Sequence, residues 1–293
     1  MRRDVREPAA AGRFYEAVPD RLQASLQECF LQRLGPGSSP AVAAEGPRSI
    51  TALVSPHAGY VFSGPAAACG FAALAADGIP ETVVILGPSH YAADRRAAVS
   101  LVEAWQTPLG QVEVNVELGR KLIADCPLIV EDEQAHRFEH SLEVQVPFLQ
   151  FVYGEQTPSI CPICIRSHPM WRLDQLVADA KQMGEALARA LPGRGGVVIA
   201  STDFSHQVPQ QVAERADRLA LEPILAVAPD HLLEAVLEND ISMCGPVPVA
   251  VALYFALAKG KHRAELLRYY TSGDIIGDRG AVVGYASAVV RMA

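Results

Sequence analysis

Residues 50–60 read ITALVSPHAGY, a short β-branched run that ends in a small polar turn containing a histidine. The same order recurs over residues 82–90 (TVVILGPSH) and 197–206 (VVIASTDFSH). Short apolar runs that alternate with helical patterns predict α/β layers. An Ala-rich helix is expected over residues 63–76. Others are expected along residues 19–34, from about residue 115, over 139–152, over 173–191 and across the apolar stretch 249–258. A hairpin around residues 107–110, a strand over 160–165 and two closing strands over 264–270 and 281–290 complete the reading. The expected fold class is α/β, as a single domain over residues 1–293 with a central mixed, largely parallel sheet flanked by helices. Residues 35–48, small and rich in Gly and Pro, are expected to form a flexible surface loop.

The chain has 293 residues, 50% of them hydrophobic and 20% charged, which is enough to bury a large core. Lys and Arg total 25 against 33 Asp and Glu, and the net charge of -8 with no basic block argues against a nucleic-acid partner. No apolar run approaches the roughly 18 residues of a membrane span. The N-terminus lacks the apolar core of a secretory signal, so the expected compartment is the cytoplasm. There the 6 cysteines would be thiols.

In parallel α/β sheets ligands bind beyond the carboxyl ends of the strands, so His57, His90 and His206 are expected to converge on one cleft. Two neutral imidazoles leave a metal ready for an anionic third ligand, for which Asp203, Glu143 and Cys244 are candidates. Cys244, in MCGPVP, precedes an apparent helix start, a position that lowers a thiol pKa. Residues 136–140, HRFEH, match H-x-x-E-H, in which His136 and His140 would share a helix face and hold zinc while Glu139 served as base. Cys161 and Cys164 form a C-x-x-C within a strand-like run, where they point to opposite faces and read as core. His168, His231 and His262 stand alone and read as solvated. Walker, G-x-G-x-x-G and G-x-S-x-G motifs are absent.

Taken together, REPAAAGRFY, SPHAGYVFSGP, ILGPSH, FEHSLEVQVPFLQ, STDFSH, MCGPVPV and YYTSGDIIGDRGAVVGYAS resemble the Memo family, called AmmeMemoRadiSam system protein B in prokaryotes. The resemblance spans nearly the whole chain and implies a LigB-like fold, similar to class III extradiol non-haem iron dioxygenases. It implies His57, His90 and Cys244 as metal-site residues. Asp203 and His206 match the family's D-x-S-H segment, with His206 at the position of the dioxygenase acid/base. His140 and Glu143 match its E-H-S-L-E segment, and His140 joins Asp203 and His206 as a candidate catalytic residue. Tyr60, Ser89 and Glu143 are expected to touch substrate. Gln207 departs from the tyrosine expected after the histidine. A thiolate in place of the dioxygenase carboxylate would welcome copper or zinc as well as iron.

The first functional expectation is therefore a metal-binding protein carrying iron or copper, with zinc as a further option, and redox or oxygen-dependent activity on a small molecule. A second keeps the fold but uses the cleft to bind a peptide or protein without catalysis, and the prokaryotic family name implies a radical-SAM partner protein. The third is the H-x-x-E-H zinc peptidase.

Overall fold

The computed structural model describes residues 4–91, 95–166, 172–260 and 262–293. Their elements, in chain order, are β1 (Val5–Arg6), α1 (Pro19–Leu31), β2 (Ile50–Ser55), α2 (Tyr60–Asp77), β3 (Thr82–Pro88), β4 (Ala97–Val99), β5 (Ala104–Thr107), β6 (Gly110–Glu113), α3 (Val116–Asp125), β7 (Ile129–Glu131) and α4 (Glu133–His136). They continue with α5 (Val146–Tyr153), β8 (Ser159–Ile165), α6 (Leu173–Ala190), β9 (Gly196–Ser201), β10 (His206–Val208), α7 (Gln210–Leu225), α8 (Pro229–Glu238), α9 (Pro246–Ala258), β11 (His262–Thr271), α10 (Gly273–Ile276) and β12 (Val282–Met292).

One sheet organises the molecule, in the order β10-β12-β2-β9-β3-β8-β4-β7, with β11 also paired to β12. Its four central strands, β2, β9, β3 and β8, are parallel. The flanks are antiparallel, through β12 against β2 and β4 against β8. The expectation of a largely parallel sheet thus describes the centre, and the mixed character comes from the edges. The hairpin β5–β6 joins β1 in a second, small sheet.

Both faces of the central strands are buried, which is why they read as continuous apolar runs. Ala52, Val54, Val84, Leu86, Val198 and Ala200 pack into one core with residues of α3, α6, α7, α8 and α9. The alternate residues Leu53, Val83, Ile85, Val197 and Ile199 pack into another with α1, α2 and α5. Cys161 and Cys164 on β8 fall into these two different cores, as strand alternation requires. No helix among the described residues is long and apolar enough to cross a membrane. The apolar α9 is instead buried over nearly its whole length.

Residues 35–47 have no regular structure and rest on the end of α2, where the Ala43 N–H donates to Ala75 O at 2.9 Å. One helix differs from expectation. Residues 139–140 have no regular structure, 141–142 form a turn, a 3-10 turn covers Glu143–Gln145, and α5 starts only at Val146. Pro147 explains this: it is tolerated in a first helical turn, but in the interior of a helix begun at residue 139 it would remove a backbone hydrogen bond.

Candidate metal centre

The strands β2, β9 and β3 are neighbours in the sheet, so the turns after their carboxyl ends lie side by side. His57 follows β2 and is 2% exposed, with its N–H held by Asp203 Oδ1 at 2.8 Å. Its Nδ1 lies 2.9 Å from Ser201 Oγ at the end of β9, and its Nε2 lies 3.1 Å from Cys244 Sγ. Cys244 reaches the cleft from the loop before α9. Gly245 makes that possible, because a Cβ there would stand 2.6 Å from Ser201 O. The Asp203 N–H donates to Cys244 Sγ at 3.0 Å.

His90 follows β3, and Glu139 holds it twice, through its backbone N–H at 2.7 Å and its Nδ1 at 2.9 Å. The turn carrying Glu139 can approach because Gly87 has no Cβ; one would stand 2.6 Å from Ser141 Oγ. The ring centroids of His57 and His90 are 5.4 Å apart, and that of His140 is 5.5 Å from the first and 4.6 Å from the second. Ligand atoms of His57, His90 and Cys244 all lie within 4.8 Å of one another. His90, Glu139 and His140 form a second such group. There the Glu139 carboxylate already accepts the N–H groups of His140 and Ser141, at 2.9 and 2.8 Å, besides the two from His90. That group is therefore an orienting cluster around His90.

Burial holds the His57 imidazole well below its usual range, with His140 and His90 adding to the effect, so the ring is neutral. Burial likewise brings His140 down to about 4. For Glu139 burial works against the charged form, but the His90 ring and the N–H donors outweigh it and hold the carboxyl at about 2. Asp203 is pushed up by burial, with the hydrogen bond from the His57 N–H opposing it. Cys244 departs from expectation: burial, then the Asp203 carboxylate, push the thiol up and outweigh the hydrogen bonds it receives from the Asp203 N–H and the Thr202 hydroxyl. His206 lies half-buried on β10, its N–H donating to Ser242 Oγ at 2.8 Å and its Nδ1 2.7 Å from Ser242 O.

The other expected residues have their polar side-chain groups engaged within the protein. Glu143 is 1% exposed, and its carboxylate accepts from Arg6 Nη1 at 2.7 Å, from the N–H groups of Ala9 and Ala10 at 2.8 Å each, and from Tyr15 Oη at 2.5 Å. It has nothing left for a substrate or metal; it clamps the N-terminal segment. Tyr60 is buried with its hydroxyl committed to Val144 O at 2.7 Å, which withdraws it from substrate. The Ser89 hydroxyl, half-buried beside His90, donates to Tyr91 O at 2.6 Å. The H-x-x-E-H reading fails on helix length, because α4 stops at His136. His136 is fully buried with its Nε2 2.9 Å from Ala98 O. His231 is exposed, His262 is half-buried against Gly260 O, and His168 lies outside the described residues. Sequence reasoning missed Glu139 as the partner of His90. The glycine before Pro88 signalled a close neighbour there, without saying which.

A family model described as Memo-like protein matches residues 6–289. The chain belongs to the Memo family. A MEMO1 family protein of Methanopyrus kandleri is 43% identical over 98% of this chain and 99% of its own length. One of Thermotoga maritima is 41% identical over 97% and 99%. Among solved structures, a protein of Escherichia coli K12 described as uncharacterized shares the fold at a TM-score of 0.54 and 16% identity, over 82% of this chain and 99% of that one. The chain is thus a mixed α/β domain, with the turns bearing His57 and His90 beyond strands β2 and β3 on either side of β9, and His206 on the edge strand β10.

Proposed function

We propose that this Memo-family chain binds one transition-metal ion, iron or copper, through His57, His90 and Cys244, and uses it on a small substrate carrying an ionisable hydroxyl. The observation that carries this reading is the grouping of two imidazoles and a thiol within 4.8 Å, with the back of each ring already held, His57 by Ser201 and His90 by Glu139. Metal-ligating histidines characteristically have their second nitrogen engaged in this way. The Glu139 carboxylate only accepts, so His90 Nδ1 carries the hydrogen and its Nε2 is the free donor atom.

A bound metal would supply Lewis acidity and one-electron exchange. The chain's own residues do the rest. Ser242 O only accepts, so His206 Nδ1 carries a hydrogen and Nε2 is free to take a proton from a substrate hydroxyl. Asp203, bonded to the His57 N–H, fixes the turn after β2 and faces the charge that His206 gains. Neutral His140, stacked on His90, closes one side against water.

The test is metal per chain after anaerobic purification, for wild type and a His57→Ala/Cys244→Ala variant, with iron, copper and zinc counted together. Near-stoichiometric iron or copper that vanishes in the variant is expected. A folded, metal-free wild type would overturn the proposal.

A further inference from the structure

Ser201 Oγ has three partners and one hydrogen. It lies 2.6 Å from Ser141 O, 2.8 Å from Gln145 Nε2 and 2.9 Å from His57 Nδ1. A carbonyl oxygen only accepts, so the hydroxyl hydrogen goes to Ser141, and an amide nitrogen only donates, so Gln145 fills one Ser201 lone pair. The remaining lone pair can meet His57 only if Nδ1 carries the hydrogen. We infer that Gln145, acting through Ser201, is a positioning residue that locks His57 in its Nδ1–H tautomer, with the Nε2 lone pair turned toward Cys244. This deepens the metal-site reading and rests on it for its purpose, though not for its geometry.

Gln145 is itself suited to that single task. It is 1% exposed and sits on the 3-10 turn before α5, far along the chain from both residues it sets. Its second N–H goes to Pro56 O, at 2.9 Å, immediately before His57, so one amide holds both the His57 backbone and the hydroxyl behind its ring. Its Oε1 is buried and accepts from no described residue. Only the donor end of the side chain is in use, and a buried, unused acceptor is a cost a fold tolerates where the donors matter.

Long-range proton–nitrogen spectra of the metal-free full chain read the tautomer directly. The wild type is expected to show His57 with a protonated Nδ1 and an unprotonated Nε2. In Gln145→Met, which keeps the length and removes the donors, Ser201 is free to turn its hydrogen toward His57, so an Nε2–H population is expected to appear. Zinc affinity, from competition titration, should fall about 10–100-fold in parallel. Ser201→Ala should do the same if the first variant does not fold. A wild type in the Nε2–H form overturns the inference, as does a folded Gln145→Met with the wild-type tautomer. If the tautomer behaves as expected while no form of the protein takes up iron, copper or zinc, the role of Gln145 stands and the metal reading falls.

Discussion

Glu139 and Glu143 lie on one short segment, and each carboxylate is buried under N–H or O–H donors, yet they serve two different regions. Glu139 faces the cleft, where two of its donors belong to His90. Glu143 faces the N-terminal segment, where Arg6, Ala9, Ala10 and Tyr15 close on it. Arg6 completes that clamp by donating to His136 O and Glu139 O, both at 2.8 Å, with its guanidinium 4.1 Å from the Trp105 ring centroid. Saturation alone therefore does not mark a functional carboxylate. What separates the two is the partner: a ring with a free nitrogen aimed into a cleft in one case, a buried cation and the backbone of residues 9–10 in the other.

The largest expected effect breaks the clamp. Glu143→Ala leaves the Arg6 guanidinium buried without its counter-charge and should cost about 3–5 kcal/mol in denaturant unfolding. Metal bound per folded chain should not change. Loss of metal at unchanged stability would erase the distinction between the two carboxylates.

A smaller effect in free energy should appear on the cleft side. Glu139→Gln keeps the shape but weakens the hold on His90 Nδ1, and metal affinity is expected to fall about 10–100-fold in competition titration. Glu143→Gln measured beside it should leave affinity within a factor of about two, since its carboxylate touches no candidate ligand.

The smallest effect is a pH slope. Burial holds His136, on the clamp side, at about 3 against an ordinary 6.5. The unfolded chain therefore takes up a proton below 6.5 that the folded chain refuses, and stability present above 6.5 is lost as pH falls toward 3. One such proton contributes at most about 1.4 kcal/mol per pH unit. Denaturant midpoints for His136→Phe should accordingly fall less steeply than wild type between pH 6 and 5; equal slopes would mean that His136 is not held neutral.

The sheet and three of the cleft residues were legible because strand periodicity and the crevice rule act over a few residues each. His57 and His90 follow apolar runs that could only be central strands, and Cys244 precedes a helix too apolar to be anything but buried. The 139–145 segment was not legible in the same way. As a helix it would have placed Glu139 and Glu143 on one face, and so in one cleft. In the fold, Glu139 bonds the N–H groups of His140 and Ser141, local bonds that compete with a helix, and Pro147 delays α5. Gln145 and Ser201 were invisible for another reason. Their importance lies in counting hydrogens among four residues brought together from three separate stretches of chain.

The most direct test of the metal centre is X-ray absorption at the zinc edge of the zinc-loaded protein, wild type beside Cys244→Ser. Imidazole nitrogens with one sulfur at about 2.3 Å are expected in the wild type, and loss of the sulfur in the variant. A wild-type spectrum without sulfur, or one unchanged in Cys244→Ser, would contradict this ligand set.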